Sequence, residues 1–337
     1  MTAYVGFLHA WIPKISCLLS YIANTLFIYL VTKRTKSAIG SYKYVMLSFA
    51  VFDICYSTVE QLIPMALHNY RAASAVFLTS GPLSENITYG QLALAFRLSF
   101  IGLSYGILAI HFIYRYIALC RSHLLYIFTV PKWIVAIFIY FILHGVCWCS
   151  GAYYFGYGKK DGYDYIYEDF TSTYNVSAYQ VPMIICVYRE VAFESILRSS
   201  IGTLIVSSIS SYAVTLYLVL GLKIHKHLNC RKMSTRTKTL HKRLLQALTI
   251  QTVIPVFVSY LPVIITLFAP IIGIDVGRYN NYYSAIAVSF FPFCDPMAMI
   301  FLLPDYRRAV FGMIGIKNVN GNSVSTSYTI ERSNSKI

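Results

Sequence analysis

The sequence predicts an all-α membrane protein, a bundle of seven transmembrane helices, and three observations carry that prediction. Hydrophobic residues make up 57% of the 337-residue chain and charged residues only 12%, whereas an ordinary globular chain is about one quarter charged. Seven stretches are long and apolar enough to cross the hydrocarbon core as helices, which takes about 20 residues each. The basic residues fall between these stretches, on alternate loops. The net charge of +15 is thus spread along a membrane chain and forms no soluble face, so no nucleic-acid partner is expected.

The spans are read at 10–31, 45–67, 92–114, 133–154, 199–222, 246–269 and 281–303. The first runs past the core of a signal peptide and is expected to stay as span one. Loops 32–43, 115–132 and 223–243 carry fifteen Lys and Arg and no acid, whereas loops 69–90, 155–197 and 270–280 carry five and eight acids. Positive loops remain in the cytosol, which puts the N-terminus outside and the C-terminus inside. Two glycosylation triplets, at Asn86 and Asn175, fall in loops assigned to the outside. Loop 155–197 is acidic and rich in tyrosine, and reads either as a lid over an outward pocket or as a solvated loop. Residues 1–304 form the seven-helix domain. Residues 305–316 read as a short amphipathic helix on the membrane, with Arg307 and Arg308 toward lipid headgroups, and 317–337 as a disordered cytosolic tail.

Polar groups inside the spans are costly and mark function or a partner. Asn24 in span one, Asp53 in span two and Asp295 with Pro296 in span seven can meet in one network, either a switch sharing a proton or cation or a satisfied structural cluster. Glu60 and Arg97 sit at similar depth in the outer halves of spans two and three. They pair across the outward cavity, or Arg97 snorkels to the surface. With Tyr282 they are the candidate ligand-pocket residues. Serines 207, 208, 210 and 211 suit close helix packing in span five. Prolines 255 and 262 in span six, and 292 and 296 in span seven, allow hinges. The chain has no phosphate-cradling loop, no zincin motif, no metal spacing among its eight histidines and no lysine in span seven. Neither an enzyme, a metal nor a cofactor is expected.

Particular motifs then carry a resemblance. His111-Phe112-Ile113-Tyr114-Arg115-Tyr116 closes span three and is similar to the Asp-Arg-Tyr motif of G-protein-coupled receptors, with Tyr114 in place of the acid. Pro292-Phe293-Cys294-Asp295-Pro296 followed by Pro304-Asp305-Tyr306-Arg307-Arg308 resembles the end of nematode serpentine chemoreceptors of the Str class, as do Ile39–Tyr44 and Leu244–Pro255. The resemblance spans nearly the whole chain. It implies a chemosensory, olfactory-type receptor in the ciliary plasma membrane of sensory neurons, binding a small-molecule odorant and activating a cytosolic heterotrimeric G protein. It also implies coupling roles for Tyr114, Arg115 and Tyr116, with Lys238, Lys242 and Arg243 of the basic loop as G-protein contacts. The usual cysteine at the outer start of span three is missing, so Cys186 is expected to pair with Cys149, or with Cys147. A ligand-gated channel and a ligand-free scaffolding or trafficking protein are the competing readings.

Overall fold

The computed structural model describes all residues except 1, 2, 4, 35–40, 157–159, 231–234, 275–285 and 314–337. Span one is Phe7–Arg34, span two Tyr42–Leu62, span three Ile87–Cys120 and span four Pro131–Ser150, the last prolonged by a π-helical turn to Phe155. Span five is Phe193–Cys230. Span six comprises Thr235–Pro255, a π-helical turn Val256–Tyr260 and Leu261–Ile272. The described helix of span seven is Phe291–Leu302, and Pro304–Met313 follows as a separate helix. Among the described residues the first five spans are helices long and apolar enough to cross a membrane unaided.

Apolar composition makes these segments helical, because inside a bilayer each backbone N–H and C=O must be satisfied within its own segment. Span three is the central post. In its most apolar stretch 78% of residues are buried, against 22% and 17% in spans four and five, whose Phe138, Ile139, Leu218 and Leu222 point outward. Small residues set the closest approach. A Cβ on Gly102 would lie 2.6 Å from the His144 carbonyl oxygen and 2.7 Å from Trp148 Cβ, so spans three and four pack backbone to side chain there.

The structure corrects three parts of the sequence reading, the first being loop 223–243, whose described residues 223–230 and 235–243 continue the helices of spans five and six. Span two ends at Leu62, not 67, because Pro64 disfavours helical geometry in the residue before it; Ile63 turns to φ −128°, ψ 70°. The chain then forms β1 (Met65–Tyr70) and β2 (Ala73–Leu78), joined through Arg71 at φ 47°. Strand β3 (Met183–Val187) completes an antiparallel sheet in the order β1-β2-β3, pairing Ala66 with Phe77 and Ser74 with Cys186. Loop 155–197 contains, besides β3, a helix over Lys160–Tyr174. Its Tyr163, Ile166, Phe170 and Tyr174 recur at helical spacing and bury against Ala66, Phe77 and Ile185 of the sheet. Asp169 lies 3.3 Å from His68 Nε2. The tyrosines thus build a small core over one end of the bundle. At the other end Tyr306, in the helix after span seven, is buried with its ring 6.0 Å from that of Phe27.

Candidate functional site

Three arrangements follow one another down the bundle. At the sheet end, an apolar cavity of about 90 Å³ lies between the sheet and spans three to seven. Val76 and Cys186 face it from the sheet, Ile101 and Trp148 from spans three and four, Val206 from span five and Leu267 from span six. An aromatic stack is packed around Trp148. The Tyr105 ring lies 5.6 Å from Trp148 and 4.0 Å from Tyr260, the last residue of the π-helical turn in span six. Tyr260 Oη is 3.1 Å from Ser104 Oγ, and Tyr217 O–H donates to the Tyr105 carbonyl at 2.6 Å. Tyr188, just past β3, meets Thr203 of span five at 2.6 Å, fastening the sheet to the bundle. Burial against this apolar wall pushes the Cys186 thiol up to about 11.

Midway down lies the polar cluster. Asn24, Asp53 and Asp295 are fully buried. Pro296 lacks an N–H, so it cannot donate to the Pro292 carbonyl four residues back. Asn24 Nδ2 donates to that carbonyl at 2.9 Å. One turn earlier Phe293 N–H bonds to Phe290 instead of Ser289, and Ser16 Oγ donates to the released Ser289 carbonyl at 2.6 Å. Span one therefore supplies two donors to the backbone that span seven leaves open. Ser20 Oγ accepts from both Ser57 Oγ at 2.8 Å and Asn24 Nδ2 at 3.2 Å, drawing span two into the network. Asp53 and Asp295 are close enough to interact electrostatically. Gln251 of span six comes beside Asp295, yet both oxygens of each carboxylate lack a hydrogen-bond partner. Carboxylates without hydrogen-bond partners are costly in an apolar interior and mark function or a partner.

At the end away from the sheet, Arg115 is buried at the close of span three. Its Nη2 is 3.4 Å from His241 Nδ1 and 3.5 Å from the His241 carbonyl of span six, and its guanidinium lies 5.1 Å over the Tyr42 ring. Tyr114 stacks on Tyr42 at 5.3 Å and meets Phe128 edge-on. A histidine, a carbonyl and aromatic faces thus surround the arginine. Lys223 Nζ lies 5.9 Å over Tyr116, Lys238 Nζ donates to the Asn229 carbonyl at 3.5 Å, and Lys242 and Arg243 are exposed beside His241.

Other singled-out residues are placed as follows. Glu60 Oε1 and Arg97 Nη2 are 2.8 Å apart and buried, beside a second cavity between spans one to three. Tyr282 lies outside the described residues. Cys149 and Cys186 are both free thiols, as are the other six cysteines. Asn86 caps span three, its side chain accepting from Tyr89 N–H at 3.1 Å, and Asn175 is exposed at φ 55° just past the helix Lys160–Tyr174. His241, Gln251, Tyr260 and Trp148 went unmarked in the sequence. Their types are ordinary for helices, and only the rotation of each helix turns them inward.

Helices at each of the seven spans, a cavity walled by Trp148 under a sheet, a buried carboxylate cluster and an arginine held at the far end, among the described residues, fit a seven-transmembrane receptor of the G-protein-coupled class. Residues 3–310 match the family model "Serpentine type 7TM GPCR chemoreceptor Srj". The chain belongs to that family of nematode chemoreceptors. It is 31% identical to "Serpentine receptor class J-38" of Caenorhabditis elegans over 90% of this chain and 92% of that one. It is 27% identical to "G-protein coupled receptor str-33" of the same nematode, over 92% of each. "Serpentine receptor class r-10", also from that species, is 26% identical over 94% of this chain and 93% of its own length. The Str-like motifs therefore point to the serpentine chemoreceptors as a whole, and the matching family model is that of class J. The protein is a chemosensory G-protein-coupled receptor.

Proposed function

We propose that the apolar cavity beneath the sheet is where a small, uncharged, volatile-sized molecule acts. The observation that carries this reading is Tyr260. Its ring stacks on Tyr105, which packs on Trp148 of the cavity wall, and it is also the last residue of the π-helical turn that interrupts span six. A ligand packed against the cluster acts on the weakest point of the helix that holds His241 against Arg115. The cavity is smaller than the ~150 Å³ apolar void that admits benzene, so a larger odorant must displace the sheet. The ligand shifts the population toward the arrangement it binds better. In that arrangement span six swings at the turn and the Arg115–His241 contact opens. A heterotrimeric G protein then meets Tyr114, Arg115 and Tyr116, with Lys238, Lys242 and Arg243 as basic contacts. Asn24, Asp53, Asp295 and Pro296 form the hinge between the two ends.

In this reading the sheet faces outside, carrying Asn175 as the accessible glycan acceptor, and the basic loops face the cytosol. Helix Pro304–Met313 lies on the inner leaflet with Arg307 and Arg308 toward headgroups, and the receptor resides in the ciliary plasma membrane of sensory neurons. The test is G-protein activation in cells expressing the chain, challenged with a panel of small volatiles. Val206→Phe fills the cavity and is expected to abolish the response at unchanged surface expression. A full response in that variant would move the ligand elsewhere.

A further inference from the structure

A second cavity, of about 280 Å³, lies at the sheet end between spans one, two and three, and Met65 stands between it and the apolar one. Its chemistry is different. Arg97, Glu60 and His9 line it, and Lys14 stands at its edge. The N-terminal segment closes over it, with Ala3 N–H donating to the Thr79 carbonyl at 3.2 Å.

Charge balance decides what fits. Glu60 neutralises one cation by its 2.8 Å pair with Arg97. Lys14 is exposed, stacked 5.1 Å from the centre of the Trp11 ring, and leaves the lining one positive charge in excess. Arg97 is only 2% exposed, and its Nε–H, which has no hydrogen-bond acceptor, is enclosed away from the cavity space, so a ligand must be met by the η nitrogens. A guanidinium presents five donors in a planar fork, so a donor of the fork remains to be satisfied after Glu60 has taken its share. A carboxylate accepts from such a donor with a charge-assisted bond. A cationic ligand would meet Arg97 and Lys14 together, and an alcohol would leave the excess charge uncompensated. Val5, Ala10, Pro13, Pro64 and Met65 give the wall an apolar part that suits a short alkyl chain, beside the polar Gln61, Thr79 and Ser80.

We propose that this cavity is a second ligand site, taking small carboxylate monoanions with short alkyl chains, which accept from Arg97 and are held at the rim by Lys14. It is independent of the reading of the apolar cavity, because it rests on different residues and is read by binding alone. The experiment is thermal unfolding of the full-length chain in detergent with sodium butyrate and sodium hexanoate. Matched sodium chloride, 1-butanol, 1-hexanol and hexylamine serve as controls. The two carboxylates should raise the unfolding midpoint saturably and the controls should not. Lys14→Gln should weaken the apparent affinity about tenfold. The paired variant Glu60→Gln with Arg97→Gln removes both charges together and should abolish the shift, whereas Val206→Phe, in the other cavity, should leave it intact. Equal shifts from the alcohols, no shift up to about 10 mM carboxylate, or an undiminished shift in Lys14→Gln would overturn the assignment. Should the paired variant not fold, Lys14→Gln decides alone.

Discussion

Asn24 shows how much of this receptor turns on single donors. Its amide fills the carbonyl that Pro296 cannot reach, and in an apolar interior an unfilled backbone acceptor costs about 1–3 kcal/mol. Asn24→Ala should therefore lower stability by roughly 1 kcal/mol, read as a drop in the thermal midpoint in detergent. The same substitution should cost less in a Pro296→Ala background, where residue 296 regains its own N–H. Equal costs in the two backgrounds would break the link. Cys186 gives a second check. A thiol pushed from about 9 to about 11 is protonated at pH 8, and raising the pH through 11 releases the reactive thiolate. At pH 8 its alkylation by a small haloacetamide should run about a hundredfold slower than that of an ordinary cysteine, and climb steeply up to pH 11. At the far end, His241→Ala removes the ring that Arg115 Nη2 touches. Ligand-independent nucleotide exchange on the G protein should rise several-fold, whereas unchanged basal exchange would mean that this contact does not hold the resting state. The polar positions were legible as residues because Asn24, Asp53, Glu60, Arg97 and Asp295 stand out inside apolar runs. Gln251 beside Asp295, Ser16 on the Ser289 carbonyl and His241 against Arg115 were not, since a serine, glutamine or histidine on a helix looks the same whether it faces in or out.

At the scale of elements, glycine contacts set the helix spacing. A methyl on Gly102 would collide with the His144 carbonyl, a backbone atom that cannot step aside, whereas one on Gly221 meets only Phe112 Cε1 at an ordinary 3.5 Å. Gly102→Ala should destabilise the bundle by about 1–3 kcal/mol, and Gly221→Ala should be neutral or slightly stabilising. Thermal unfolding of the two variants side by side distinguishes local collision from a general intolerance of alanine in place of glycine. The spans themselves were readable because about 20 apolar residues in a row have few other uses. The sheet was not. Strands of five or six residues give a weak period, and Met65–Tyr70 continues an apolar run that looks like the end of span two. Pro64, the residue that stops the helix, was the available signal. The helix Lys160–Tyr174 escaped because Tyr163, Ile166, Phe170 and Tyr174 were read as a tyrosine-rich composition and not as a repeat of three to four residues. The break in span six was foreshadowed by Pro255, although a proline alone does not say whether a helix bends, shifts to π geometry or runs straight.

At the scale of the whole molecule, span six runs from one end of the bundle to the other. The Tyr260 ring reaches the cavity wall through Tyr105 and Trp148, and His241 belongs to the arginine contact, with a π-helical turn on the path between them. The polar cluster joins spans one, two and seven at mid-depth, with Gln251 of span six beside Asp295. Coupling between the ends then needs no message passed through side chains, only two positions for the outer and inner parts of span six, whose populations a ligand biases. The central claim is that occupancy of the apolar cavity drives G-protein activation through Arg115. Its most direct measurement is the concentration–response of G-protein activation to the small volatiles, on the native chain, Val206→Phe and Arg115→Ala, with surface copies counted by an N-terminal tag. The account predicts a saturable response on the native chain and none in either variant at equal surface density. A response of full amplitude and unshifted midpoint in both variants would contradict it.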